Sequence, residues 1–169
     1  KMKRQGAKSF KRRVEGKTNY QRRLGLLKSR KSRLVVRRSL KNIRVQVVDY
    51  TTGGDKIVAS AISQELVKLG WKFNYSNTPA AYLTGFLCAS RAIKAGKKEA
   101  VMDIGAHEPI NGCKLYAALK GAVDAGLTVP HNEKALPKEE RLNGAHITDK
   151  AADIQKSIET IKTKIGGSK

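Results

Sequence analysis

The sequence predicts an α/β domain: a three-stranded antiparallel meander followed by β-α-β units in a mixed sheet, with a basic arm in front and helices behind. Three observations predict it. Between residues 33 and 62 apolar side chains recur with a period of two, the mark of half-buried strands. From residue 63 the period lengthens to 3.6, with short apolar runs between the helical stretches. Charge is also confined: 18 of the 35 Lys and Arg residues lie in residues 1–44 against one acid, Glu15, a net of +17 out of +21.

The chain divides into a basic arm with a short helix (residues 1–31), an α/β core (32–132) and a C-terminal helical extension (133–169). Residues 1–19 offer only Met2, Phe10 and Val14 as sizeable apolar groups. Such a segment buries too little surface to offset its ordering entropy, so it is expected to order only on a polyanion. Tyr20, Leu24 and Leu27 then recur at helical spacing and predict a basic helix over residues 18–29.

Three strands follow. Arg33–Arg38 sets Leu34 and Val36 on one face and Arg33, Val35 and Arg37 on the other. Ser39–Asn42 turns the chain, Ile43–Val48 alternates again, and the glycines of residues 51–55 supply a second turn before Lys56–Ile62. Ser63–Leu69 reads as one or two helical turns ending at Gly70, and Trp71–Phe73 as a short extended piece. Thr78 and Pro79 read as the N-cap and first residue of a helix that stops at Gly96. Glu99–Ile104 is expected to be a buried strand, Cys113–Ala125 a helix, and Leu127–Val129 a short strand before Pro130. This alternation implies parallel strands with helices on the faces of the sheet.

In the extension, Pro137–Leu142 reads as a short helix, and Thr148 as the cap of a final helix. There Ile154, Ile158, Ile161 and Ile165 form a stripe that must pack on the domain itself or on a neighbouring protein.

Composition excludes several functions. No run reaches the ~18 apolar residues of a membrane span. The arm lacks the large apolar groups that insert into lipid, and no secretory signal follows its basic start. Cys88 and Cys113 show no metal-ligand spacing and read as buried reduced thiols. Phosphate-binding glycine loops, nucleophile elbows and zinc-protease motifs are absent, and no cofactor is expected. One catalytic reading has substance. Asp49 and Asp103, with Asp124 or Glu108, stand where a nuclease would gather metal-binding carboxylates. Capping of backbone amides is the plainer role for an Asp at a strand end.

The charge therefore calls for a polyanion. No helix-turn-helix, zinc finger or zipper-linked basic region is present, which removes the common major-groove readers of DNA. A tract running from arm to helix to strand suits the irregular surface of folded RNA. The candidate RNA-binding residues from the tract are Lys3, Arg4, Lys8, Lys11, Arg12, Arg13, Lys28, Arg30, Lys31 and Arg44, with Lys56 at the start of the third strand. Tyr20, and Phe10 less directly, can stack on unpaired bases or anchor the helix. The alternative is a protein-interaction module, docking through the isoleucine stripe and the acid-bearing 99–140 region, with the arm as a targeting tail.

Longer blocks resemble a known family. They are Glu-Gly-Lys-Thr-Asn-Tyr-Gln-Arg-Arg-Leu (15–24), Arg-Leu-Val-Val-Arg-Arg-Ser (33–39), Asn-Thr-Pro-Ala-Ala-Tyr (77–82) and Asp-Ile-Gly (103–105). Lys-Leu-Tyr-Ala-Ala-Leu-Lys-Gly-Ala-Val-Asp-Ala-Gly-Leu-Thr-Val-Pro-His (114–131) and Arg-Leu-Asn-Gly-Ala-His-Ile (141–147) complete them. The chain resembles the large-subunit ribosomal protein that binds 5S rRNA, L-eighteen in bacteria and archaea and L-five in eukaryotes. Its long arm and extra C-terminal helices look like the archaeal type.

The resemblance implies a ribonuclease-H-like layered fold without catalytic acids and a non-enzymatic, cytoplasmic role on the ribosome. It implies 5S rRNA, large-subunit rRNA and neighbouring ribosomal proteins as partners, at the central protuberance. Carried over by position, the RNA contacts implied are Lys17, Thr18, Asn19, Tyr20, Arg22 and Arg23, then Arg33, Arg37, Arg38 and Lys41. The first turn departs from the archaeal pattern: Ser39-Leu40-Lys41-Asn42 stands where Ser-Asn-Lys-His is common. A base contact through a polar residue at position 40 therefore does not carry over.

Overall fold

A computed structural model describes residues 9–147 and 151–167. The expected layered α/β architecture is present. Strands β1 (Arg33–Arg38), β2 (Ile43–Thr51), β3 (Gly54–Ile62) and β4 (Val101–Asp103) form one sheet in the order β3-β2-β1-β4. The first three pair antiparallel, and β4 lies parallel to β1 with Val35 opposite Asp103.

Alternation gives the sheet two unlike faces. The inner face carries Leu34, Val36, Ile43, Val45, Val47, Ala59 and Ala61, all buried. They pack beneath helix α3 (Thr78–Lys94) and helix α4 (Lys114–Asp124). These helices approach so closely that a Cβ on Gly85 would lie 2.0 Å from the Ala118 carbonyl oxygen, and one on Gly121 2.0 Å from that of Tyr82. Beneath them, burial pushes the Cys88 thiol up to about 12, so it stays protonated. The outer face bears Arg33, Val35, Arg37, Arg44 and Gln46 by the same register. A β-bulge in β3 opposite Val47 and Val48 shifts the alternation there, so Asp55 pairs with Tyr50 and falls on the outer face.

Several boundaries differ from the sequence reading. The N-cap of α3 is Asn77, whose side chain accepts from the Ala80 amide; Thr78 and Pro79 are the first two helical residues. Trp71–Phe73 is not extended. The Trp71 amide donates to Leu66 and its indole to Asn74, which seats a fully buried ring in the core. Leu127–Val129 makes only an isolated bridge, Thr128 to Glu99, because the chain reaches Pro130 before a ladder can extend. Helices cover the inner face, whereas on the outer side helix α2 (Tyr20–Leu27) touches β4.

Glu139–Leu142 forms the short helix α5. The final helix, α6 (Ala151–Gly167), buries Ile154, Ile158, Ile161 and Ile165 against the domain's own core around α3. Of the two choices for that stripe, the domain's own surface is the one taken, which removes it as a docking face. Lys164 Nζ donates to the Leu69 carbonyl and Lys162 sits 4.6 Å above the Tyr82 ring, fastening α6 further. The expected cap at Thr148 lies outside the described residues.

Candidate nucleic-acid interface

The basic tract enters the fold through a chain of ion pairs on the outer face. Arg33 is 2% exposed. Its guanidinium lies between Asp103 (Nη1 to Oδ2, 2.8 Å) and Asp55 (Nη2 to Oδ2, 2.7 Å). Asp55 also takes Arg23 at 2.9 Å, and Asp103 takes Arg37 at 3.1 Å. Burial alone would raise the Asp103 carboxyl. The Arg37 and Arg33 charges and the Gly105 amide outweigh it and hold the group below its ordinary value. Asp55 is held down in the same way, with burial opposed by Arg33 and Arg23.

This corrects the expectation that Arg33 contacts RNA. Leaving a guanidinium buried without counter-charge is costly, and two carboxylates draw it inward. Asp103, raised above as a metal ligand, is the partner that does so. Asp49 pairs with Lys97 at 2.8 Å and falls on the opposite face of the sheet by the register of β2. The two carboxylates therefore do not converge, and no cluster of three or more metal-ligating side chains occurs among the described residues.

Arg37 remains half-exposed. Its Nη1 donates to the Asp103 carbonyl at 2.7 Å, and it lies flat against Gly105, where a Cβ would meet the guanidinium carbon at 2.8 Å. Gly105 also has φ +64°, so a side chain there would be both strained and obstructed. Arg38, Lys41 and Arg44 are exposed, and no acid pairs with them among the described residues. Leu40 stands between them at the turn, 97% exposed, while Ser39 and Asn42 close the turn. Lys56 is exposed on the adjoining strand.

Helix α2 crosses this face at two ties. Arg22 donates to the Gly105 carbonyl at 3.0 Å, and Arg23 reaches Asp55. Asn19 caps the helix by accepting from the Arg22 amide. Tyr20, Arg23, Leu26 and Leu27 are the half-buried residues of the helix, whereas Leu24 is 58% exposed. Before the helix, Lys11–Val14 forms a helical turn, α1, where the sequence reading expects no order. Phe10 packs on Tyr20 (centroids 5.0 Å), Arg12 donates to Thr18, and Lys17 pairs with Glu15 at 2.8 Å, so local contacts give this part its course. Lys11, Arg12, Arg13, Lys28 and Arg30 are exposed, and Lys31 pairs with Glu99. Lys3, Arg4 and Lys8 lie outside the described residues.

The loop after β4 is the part of this surface that sequence reasoning missed. His107 faces the same arginines: its own burial first, then the Arg38 and Arg37 charges, push its imidazole below the usual value. Only the Asp103–Gly105 sequence hinted at a loop here, and nothing placed it beside the arm.

Comparison with known proteins decides the family. The model for ribosomal large subunit proteins 60S L5 and 50S L18 matches residues 3–100 and 94–132. The chain belongs to this family. It is similar to the large ribosomal subunit protein uL18 of Korarchaeum cryptofilum, 52% identical over 146 residues, covering 86% of this chain and 75% of the relative. It is also similar to uL18 of Methanococcus maripaludis, 48% identical over 153 residues, covering 90% and 79%. As a member of the 60S L5/50S L18 family, the chain is a structural constituent of the large ribosomal subunit and not an enzyme. Membership implies rRNA and other ribosomal proteins as its partners.

Proposed function

We propose that the protein binds 5S rRNA and helps attach it to the large-subunit rRNA at the central protuberance of cytoplasmic ribosomes. The observation that carries this reading is the set of exposed cations Arg38 and Arg44 on a paired strand hairpin and Lys41 in the turn that joins it, beside the basic elements α1 and α2. Flexible tails attract phosphate at many spacings, whereas side chains on paired strands stand at fixed ones. The Arg23–Asp55–Arg33–Asp103–Arg37 chain holds helix, sheet and loop in one arrangement. Lys11, Arg12, Arg13, Lys17, Lys28, Arg30 and Lys56 would contribute sequence-independent phosphate contacts, and the arm would extend to neighbouring rRNA and ribosomal proteins.

The test is a gel shift with 5S rRNA against a generic RNA duplex, followed by nuclease footprinting. Neutralising ~6–10 phosphates predicts about a 10³–10⁵-fold loss of affinity between roughly 50 and 200 mM salt. Deleting residues 1–19 should flatten that dependence, and Arg37→Ala with Arg38→Ala should reduce the preference for 5S rRNA. Equal affinity for 5S rRNA and the duplex at all salt concentrations would sink the reading.

A further inference from the structure

A cleft of about 490 Å³ opens between the arm and the loop that follows β4. Arg13, Tyr20 and Gln21 line one side, and Ala106, His107 and Glu108 the other. The Arg22 bond to the Gly105 carbonyl ties the two sides together, and Asn19 fixes the start of α2 at its edge. The volume lies in the range of about 300–1,000 Å³ that encloses one small molecule, which suits a single nucleotide and excludes a duplex.

The lining is mixed in a way that phosphate alone does not require. Tyr20 offers an aromatic ring that Phe10 already buttresses from beside it. Arg13 and Arg22 offer positive charge. Among the described residues Glu108 is the one acid lining the cleft. A carboxylate repels phosphate, so its presence among cations argues for a ligand that also brings hydrogen-bond donors. Unpaired bases in folded RNA do so on their Watson–Crick edges, and they stack on aromatic side chains. Among the four bases only guanine presents two adjacent donors, N1–H and the N2 amino group, which match the two oxygens of a carboxylate.

We propose that this cleft takes one unpaired nucleotide of the bound RNA, guanine in preference to the other bases, with Tyr20 stacking on the base and Glu108 accepting from its N1–H and N2–H groups. The inference rests on the RNA-binding reading above and adds a base-reading site to a surface otherwise built for phosphate.

The test is an NMR titration of the full chain with GMP, AMP, CMP and UMP. All four carry the same phosphate, so common electrostatic attraction cancels in the comparison. GMP should perturb residues 18–22 and 105–109 and bind about ten-fold more tightly than the others, the discrimination expected of one bidentate contact. Glu108→Gln should abolish that preference, and Tyr20→Leu should weaken all four about ten-fold through lost stacking. Glu140→Gln, an exposed acid outside the cleft, should change neither. Equal affinities for the four nucleotides, perturbations confined to Arg38–Arg44, or a preference that survives Glu108→Gln would each overturn the inference. A parallel gel shift separates the two claims. Intact 5S rRNA selectivity without guanine preference defeats the cleft alone, and guanine preference without 5S selectivity defeats the 5S reading alone.

Discussion

The two faces of the sheet are made by the same strands and held by opposite means. On the inner face Leu34, Val36, Val45 and Val47 are closed off by α3 and α4, and stability there comes from apolar area and close packing. On the outer face alternate residues of the same strands are Arg33, Arg37 and Arg44, and order comes from Asp55 and Asp103 lying between guanidiniums. The difference teaches how one strand pair serves two purposes. A surface meant for a polyanion cannot be covered with apolar side chains, so it is made rigid by two ion-paired acids, of which Asp103 is buried, and left basic where it meets solvent.

The comparison can be broken most forcefully at Asp103. Asp103→Ala leaves the Arg33 guanidinium buried with half its counter-charge, and unfolding by urea should show a loss of about 3–5 kcal/mol. Combining it with Arg33→Met should recover much of that loss, since an apolar replacement no longer needs the acid. No recovery would show that Asp103 acts otherwise than by neutralising Arg33. On the inner face Leu34→Ala should cost about 2–5 kcal/mol by the same measurement, with no change in the salt dependence of RNA binding. Gly85→Ala, which forces a methyl against the Ala118 carbonyl, should cost about 1–3 kcal/mol.

Acid sharpens the contrast further. The folded-state values of Asp55 and Asp103 lie below their unfolded ones, so their stabilisation is fully present above about pH 4 and lost as pH falls through the depressed values. Thermal melts from neutral to acidic pH should show that loss. It should be smaller in the Asp103→Ala/Arg33→Met variant, whereas Leu34→Ala should leave its pH profile unchanged. The smallest effect on stability belongs to the exposed end of β1. Arg38→Ala should change unfolding by no more than about 0.5 kcal/mol, yet lower the salt slope of RNA binding by about one. A larger stability loss would place Arg38 inside the ion-pair chain.

Much of the fold was legible because periodicity is a local property. The two-residue alternation of β1 and β2 and the isoleucine stripe of α6 follow from spacing alone, and the helices ending at Gly70 and Gly96 announced their ends. What was misread depended on neighbours. Asn77 and Thr78 are both good caps, and only the bond to the Ala80 amide distinguishes them. Leu127–Val129 has strand composition but little partner edge. Residues 105–108 carry no motif that ties them to Tyr20, eighty-odd positions earlier, so the cleft between them was invisible.

The basic tract divides in the same way. By itself the sequence determined that +17 of charge is concentrated in residues 1–44, that the tract runs into a strand pair, and that Arg33, Arg37 and Arg44 share one face of it. Those are consequences of composition and of the two-residue repeat. Only the tertiary structure decided which of these arginines meets solvent. The β3 bulge turns Asp55 outward, the parallel pairing of β4 brings Asp103 beside Val35, and together they draw Arg33 into the protein while Arg38, Lys41 and Arg44 stay exposed. A side chain's charge is written in the sequence, but whether that charge is already neutralised depends on acids contributed by distant strands.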